Sequence, residues 1–309
     1  MATLNLDGTP ISVTGRFLKC AEVFDEYWLE DGERPDPETT IAKLRARGGI
    51  DLFTFSQHLP DVQPRYAYPL EWDNLAVARI TSFDDWWLPL PQATRKNVRR
   101  SAKRGVVVRP VDFDDRLVEG IVKIYNETPI RQGRRFWHFG KDFAQTQAAN
   151  SSYLDRCDFI GAYLGDELIG FVKLVYVGKQ AKIMQIISLA AHQDKRPTNA
   201  LLAKTMETAV AKGMQYLIYG KYIYGKRADT QIIEFKNRNG FEKVDIPKYY
   251  VPLTPKGKLA LQLQLHHGWT HLLPAALIGK LSDLRTRWYE RTLQRGGSGA
   301  AAGPPEQDE

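Results

Sequence analysis

Three apolar runs follow one another with no helical pattern between them: residues 158–164 (DFIGAYL), 168–177 (LIGFVKLVYV) and 181–190 (AKIMQIISLA). Gly165-Asp166-Glu167 punctuates the first junction. Short runs rich in β-branched and aromatic residues and bounded by turn residues read as strands. A sheet of this hydrophobicity needs cover, and helical patterns lie on both sides of it. In 113–125, Leu117, Ile121 and Ile124 keep helical spacing. Downstream, Thr198 or Asn199 can cap a helix running to Lys212, with Leu202, Met206, Ala209 and Val210 on one face and Gly213 as its stop. A further helix is expected over 142–154. The valines of 105–111 read as a strand, as do 216–222 and 242–253. Between the last two, Asp229 caps a helix that Gly240 ends. Such alternation predicts an α/β (α+β) fold, a central mixed sheet flanked by helices.

The flanking regions are less regular. Residues 1–91 read as a mixed α/β region, with a helix over 37–47 opened by Pro37 and closed by Gly48-Gly49, and strands over 51–58 and 76–81. Trp86-Trp87 is expected in a core or a seam, because an exposed tryptophan pair is unusual. Residues 255–295 read as peripheral helices, and 296–309 (GGSGAAAGPPEQDE) as a disordered tail by composition. The catalytic unit is then expected within 92–254. No internal repeat is visible.

Two cysteines, Cys20 and Cys157, make no disulfide framework and no zinc cluster, so a reducing compartment is the default. The start lacks the basic and apolar regions of a signal peptide, and no apolar run reaches the ~18–20 residues of a membrane span. These features predict a cytoplasmic protein. His266, His267 and His271 have no carboxylate or cysteine at ligand spacing, so no metal is expected there.

The formal net charge of +7 favours anionic partners. Much of it is concentrated in a helix expected over 94–104, where Arg95, Lys96, Arg99, Arg100, Lys103 and Arg104 occur with no acid between Gln92 and Val111. Arg95, Arg99, Arg100 and Lys103 could meet tRNA phosphates; a solvated helix face is the plainer reading. Lys236 is four residues from Ile232 and three from Ile233, which puts it on the apolar stripe of its helix. There its ammonium could enter a cleft and stabilise an oxyanion, or its stem could simply cover apolar surface.

The element order of residues 105–253, and the segment NGFEKV between the last helix and the last strand, resemble the GNAT acyltransferase fold. The segment TRKNVRRSAKRGVVVR resembles the entry to the catalytic half of the Fem-type (FemAB-like) peptidoglycan-bridge aminoacyltransferases, and Phe235-Lys236 matches a Phe-Lys pair on the corresponding Fem-type helix. The resemblance implies N-acyl transfer to an amine acceptor, with acyl-CoA (acetyl-CoA) or aminoacyl-tRNA as co-substrate. It gives Lys236 the oxyanion-stabilising role. It implies a tyrosine near the strand 216–222 as acid for the leaving group, for which Tyr222 and Tyr224 are the candidates. It lines the acceptor site with the loop that holds Arg131, Arg134, Arg135 and His138. It puts the donor phosphates at Gln193, Lys195, Arg196, Thr198 and Asn199.

That donor segment departs from the family. CoA-using GNAT enzymes carry Gln/Arg-x-x-Gly-x-Gly/Ala, whose glycines let backbone amides reach the pyrophosphate. Here Arg196 and Thr198 stand at the glycine positions and Pro197 removes a donor. Lys195 and Arg196 can still meet phosphate through their side chains. Glu234 and Asp229 are the candidate bases, though each also suits a helix surface or cap. The alternative class is a non-catalytic protein that keeps the fold to bind RNA or an anionic membrane surface.

Overall fold

The computed structural model describes residues 2–131, 134–224 and 230–267. They fall into two compact units: residues 2–75 with 243–267, and residues 76–242. The chain passes from one to the other inside a strand, and returns at the start of another.

In the first unit, β1 (Ala2–Leu6) and β2 (Thr9–Thr14) form a hairpin around Asp7-Gly8, and β3 (Cys20–Val23) pairs with β2. The helix α1 (Pro37–Arg47) starts where the sequence places it, because Asp36 accepts the Thr39 amide and Pro37 needs no partner for an N–H it lacks. β4 (Leu52–Ser56) follows, then β5 (Leu70–Arg79), whose first half belongs to this unit.

The second unit opens with α2 (Phe83–Trp87) and the basic helix α3 (Gln92–Lys103), then β6 (Val106–Val111) and α4 (Asp115–Tyr125), capped by Asp114. A two-residue hairpin, β7 (Ile130–Arg131) with β8 (Arg134–Arg135), precedes α5 (Phe143–Asn150), where Asp142 and Gln145 form a capping box. Three antiparallel strands come next: β9 (Cys157–Leu164), β10 (Glu167–Val177) and β11 (Gln180–Ser188). Then follow α6 (Pro197–Ala211), β12 (Tyr216–Ile218) and α7 (Thr230–Arg238). Its strand order is β5-β12-β11-β10-β9-β6. Ile169, Phe171, Val172, Leu174 and Val175 of β10 are fully buried, and α4 and α6 both pack against that strand. This is the covered sheet that the apolar runs demand.

β13 (Glu242–Pro252) returns to the first unit and pairs with β4; α8 (Pro255–Gln262), capped by Thr254, and a short 3₁₀ turn, Leu265–His267, follow. The first unit's order is β1-β2-β3-β4-β13. Among the described residues, no helix is long and apolar enough to cross a membrane. The expected helix beyond residue 278, the tail, His271 and Asp229 lie outside the described residues.

Two local expectations are corrected. Neither Thr198 nor Asn199 caps α6: Pro197 locks the first helical position, and Arg196 takes the cap position in the left-handed region at φ 57. Arg131 and Arg135 do not sit in an irregular loop but in the β7–β8 hairpin.

Candidate active site

β11 and β12 run parallel but pair at only three positions, ending at Lys182 opposite Ile218. At the next residues β11 carries a bulge. Its pairing with β10 steps from Ile183–Leu174 to Gln185–Lys173, so Met184 is the extra residue. Bulges re-aim side chains and end pairing. Past this point the strands part. β11 runs on to Ser188 with every residue from Met184 half-buried, while the chain after β12 turns towards β5, where the Ala76 amide donates to the Gly220 carbonyl. Beyond the last paired residues, β11 ends beside the start of α6, with Ser188 at Thr198, and Tyr219 and Gly220 pair with Ala76 of β5.

Lys236 stands at the segment 219–224. Its side chain is among the largest that are fully buried, and its ammonium donates to the Lys221 carbonyl. The rings of Tyr219 and Tyr224 lie 4.9 and 4.6 Å from the nitrogen. Burial pulls the lysine down to about 8; the two ring faces and the carbonyl oppose that shift by favouring the cation. Tyr224 is 42% exposed and is the outer wall of this cage. Burial raises its hydroxyl, and the Lys221 amide bonding to it works the other way. Gly220, at φ +57, leaves no room for a side chain: a Cβ there would lie 2.6 Å from that hydroxyl. Tyr222 is half-buried against the core.

The helix that carries Lys236 is fixed at its C-terminal end. Trp86 Nε1 donates to the Asn239 carbonyl, and Thr94 Oγ1 to the Arg238 carbonyl. Trp86 is buried and Trp87 packs beside it, as expected of the pair. Asn199, in the first turn of α6, reaches Asn239 at 3.3 Å. Thr198 Oγ1 lies 3.0 Å from Ser188 Oγ at the end of β11. Thr198 and Asn199 thus tie the start of α6 to the end of β11 and to Asn239 after α7. Gln193 and Arg196 are exposed, and Lys195 contacts Asp194 at 3.3 Å. Arg104, at the end of α3, donates to both the Asp194 carbonyl and its carboxylate, at 2.8 and 2.7 Å. This tie brings the basic helix to the donor segment. Lys96, Arg99, Arg100 and Lys103 are exposed on it, and Arg95 is half-buried.

The acceptor candidates divide. The Arg131 guanidinium is committed to the Ser188 and Ile124 carbonyls and to Glu127. Glu127 in turn accepts the Ala190 and Ala191 amides at 2.7 and 2.8 Å. The pair thus pins the end of α4 to the end of β11. His138 is 2% exposed, stacked on Tyr125 at 4.1 Å, and 3.5 Å from Gln185. Burial, with Lys141 nearby, drives its imidazole down to about 3, so it is neutral at ordinary pH. Gln185 and Asn150 both bond the Tyr125 hydroxyl. Arg135 is exposed, and Arg134 is described through its backbone in β8. The sequence reading missed Glu127, Tyr125, Asn150 and Gln185. It also missed Lys173, fully buried in β10, whose ammonium is bonded by the Asn150 and Ser152 carbonyls.

Comparison with known proteins agrees with this architecture. A model of the acetyltransferase (GNAT) domain matches residues 92–231. The C-terminal domain of an Agrobacterium fabrum protein described as a lysylphosphatidylglycerol synthetase is similar at 13% identity, covering 84% of this chain and 86% of that one, with a TM-score of 0.54. FemX is similar at 10% identity, over 84% and 89%, with a TM-score of 0.53. The L-PGS of Bacillus licheniformis is similar at 12% identity, over 84% and 85%, with a TM-score of 0.52. Among curated proteins, none matches the sequence. Likeness at these identities speaks to fold. Residues 92–231 of this chain thus match the acetyltransferase (GNAT) domain model, and the fold is similar to those of FemX and the lysylphosphatidylglycerol synthetases.

Proposed function

We propose that this chain transfers an acyl or aminoacyl group from a phosphate-bearing donor to an amine, and that aminoacyl-tRNA is the donor it fits better. The observation that carries the proposal is the Lys236 ammonium, enclosed by the Lys221 carbonyl and the rings of Tyr219 and Tyr224, just beyond the segment that matches the GNAT domain model. When an amine attacks an acyl carbonyl, a C–N bond forms and negative charge gathers on the carbonyl oxygen. A preorganised cation in a dry site lowers that barrier, and holding the two reactants together supplies much of the rest. The C–O or C–S bond then breaks, the nitrogen loses a proton, and the leaving group takes one. Tyr224, whose ring covers the ammonium, and Tyr222 are the hydroxyls assigned to that transfer.

The donor preference rests on the start of α6. Arg196 in the left-handed region and Pro197 without an amide hydrogen do not build a glycine-lined cradle for a pyrophosphate. Charged side chains are present instead: Lys195, Arg196 and, through the Arg104–Asp194 tie, the exposed face of α3. Such a surface suits a long polyanion more than one compact pyrophosphate.

A thermal-shift panel tests this with acetyl-CoA, longer acyl-CoAs, and charged and uncharged tRNA. A ligand at ~100 times its Kd adds roughly 2.7 kcal/mol. Charged tRNA is expected to raise the melting point more than any CoA ester does. A shift with acyl-CoA alone would reverse the donor preference, and equal shifts with charged and uncharged tRNA would favour a non-catalytic RNA-binding role.

A further inference from the structure

The local sequence around His266 and His267 offers no carboxylate, but the fold brings one. Glu71 of β5 reaches the 3₁₀ turn after α8, and its Oε1 lies 2.8 Å from Nε2 of His266 and 2.8 Å from Nε2 of His267. One ligand atom from each of the three residues falls within 4.8 Å of the others. All three belong to the first unit. The Tyr250 ring, on β13, packs against His266 at 4.7 Å between centroids.

We propose that Glu71, His266 and His267 form a binding site for a divalent transition-metal ion of the zinc type, which clips the turn after α8 to β5. Zinc bonds of about 2.0–2.2 Å to nitrogen and carboxylate oxygen, at tetrahedral angles, put ligand atoms about 3.3 Å apart. The observed 2.8 Å separations open to that value with a side-chain rotation of about half an ångström, and Glu71 and His267 have the freedom to make it: their side chains are 38% and 26% exposed. His266 is 5% exposed and forms the rigid floor. The exposed side leaves a fourth position to water, as in three-ligand zinc sites. Two imidazoles and a single carboxylate select a borderline ion; magnesium and calcium demand more oxygen ligands than are present. The two imidazole rings lie 4.0 Å apart between centroids, tilted by 40°, and Tyr250 lies beside both.

The test uses the full chain with no affinity tag, stripped with a chelator and dialysed against zinc or cobalt. One equivalent is expected to stay bound to the wild type. Glu71→Gln and His267→Ala are expected to weaken binding by at least about 100-fold, beyond the effect typical of outer-shell changes, while their circular dichroism and metal-free melting stay unchanged. Because His266 is buried, its substitution is not the primary test. The cobalt form should show a nitrogen- and oxygen-ligand d–d spectrum without a thiolate charge-transfer band. No retained metal in the wild type, or equal retention in E71Q and H267A, overturns the proposal, as does a thiolate band that vanishes in Cys20→Ser.

Discussion

Lys236 and Lys173 are both buried cations that burial pulls down to about 8. In the unfolded chain a lysine titrates near 10.5. Between those values the unfolded state holds more protons than the folded one, so stability should rise as pH increases from about 8 to 10.5. Urea midpoints measured across that window check the sign, and Lys236→Met should flatten part of the rise. The chemistry has the opposite slope. If the ammonium is the oxyanion partner, kcat/KM should fall as pH climbs past about 8, even while the fold tightens. The residue that sequence pattern picks out is this lysine. Its surroundings are not legible there, because the Lys221 carbonyl is main chain and Tyr219 is one tyrosine among several. His138 is the converse case. Basic and aromatic neighbours read as an acceptor loop, yet the aromatic contacts draw the imidazole into the core. Nothing local distinguishes a ring that stacks inward from one that faces a ligand.

Helix α7 places Lys236, and its own placement depends on α2 and α3. Gly240 ends it at φ +78, and a Cβ there would lie 2.8 Å from Trp86 Nε1. Gly240→Ala should cost about 1–3 kcal/mol, the range for a non-glycine residue held in the left-handed region, and should depress kcat by displacing the lysine. Trp86→Phe removes the donor to the Asn239 carbonyl and should cost about 1–3 kcal/mol for the carbonyl left buried. Thermal melts with kcat and KM measured separately check both. Helices α1, α4 and α5 start within two residues of the expected positions, but their caps Asp36 and Asp114 are not singled out by the sequence pattern, and α5 stops at Asn150, short of the expected end at 154. In α6, Pro197 outranks Thr198 and Asn199 as the start. The bulge at Met184 leaves no signature, since it follows from how β11 must part from β12.

On the scale of the whole molecule, the positive charge is placed rather than spread. Arg104 joins α3 to the donor segment through Asp194. A tRNA donor gripped by Arg99, Arg100 and Lys103 should bind with a steep salt dependence, close to one unit of log–log slope per neutralised phosphate. Arg99→Glu with Arg100→Glu should weaken donor binding and flatten that slope, with melting unchanged because both side chains are exposed. Binding isotherms at several salt concentrations read this directly. Long-range pairings of this kind, like Glu71 meeting His266, are outside what spacing along a chain can reveal. The alternation of strands and helices, by contrast, carries the fold of the GNAT domain almost unaided.

The most direct test of acyl transfer at this site is a single-turnover assay. It would use the labelled donor that stabilises the wild type and a pool of primary amines: amino acids, amino sugars, polyamines and amino lipids. Transfer by the wild type is expected, with a loss of roughly 100- to 1,000-fold in Lys236→Ala, as for removal of an oxyanion donor, donor affinity preserved and melting lowered by the cavity that the buried side chain leaves. Transfer by Lys236→Ala at the wild-type rate would contradict the oxyanion role.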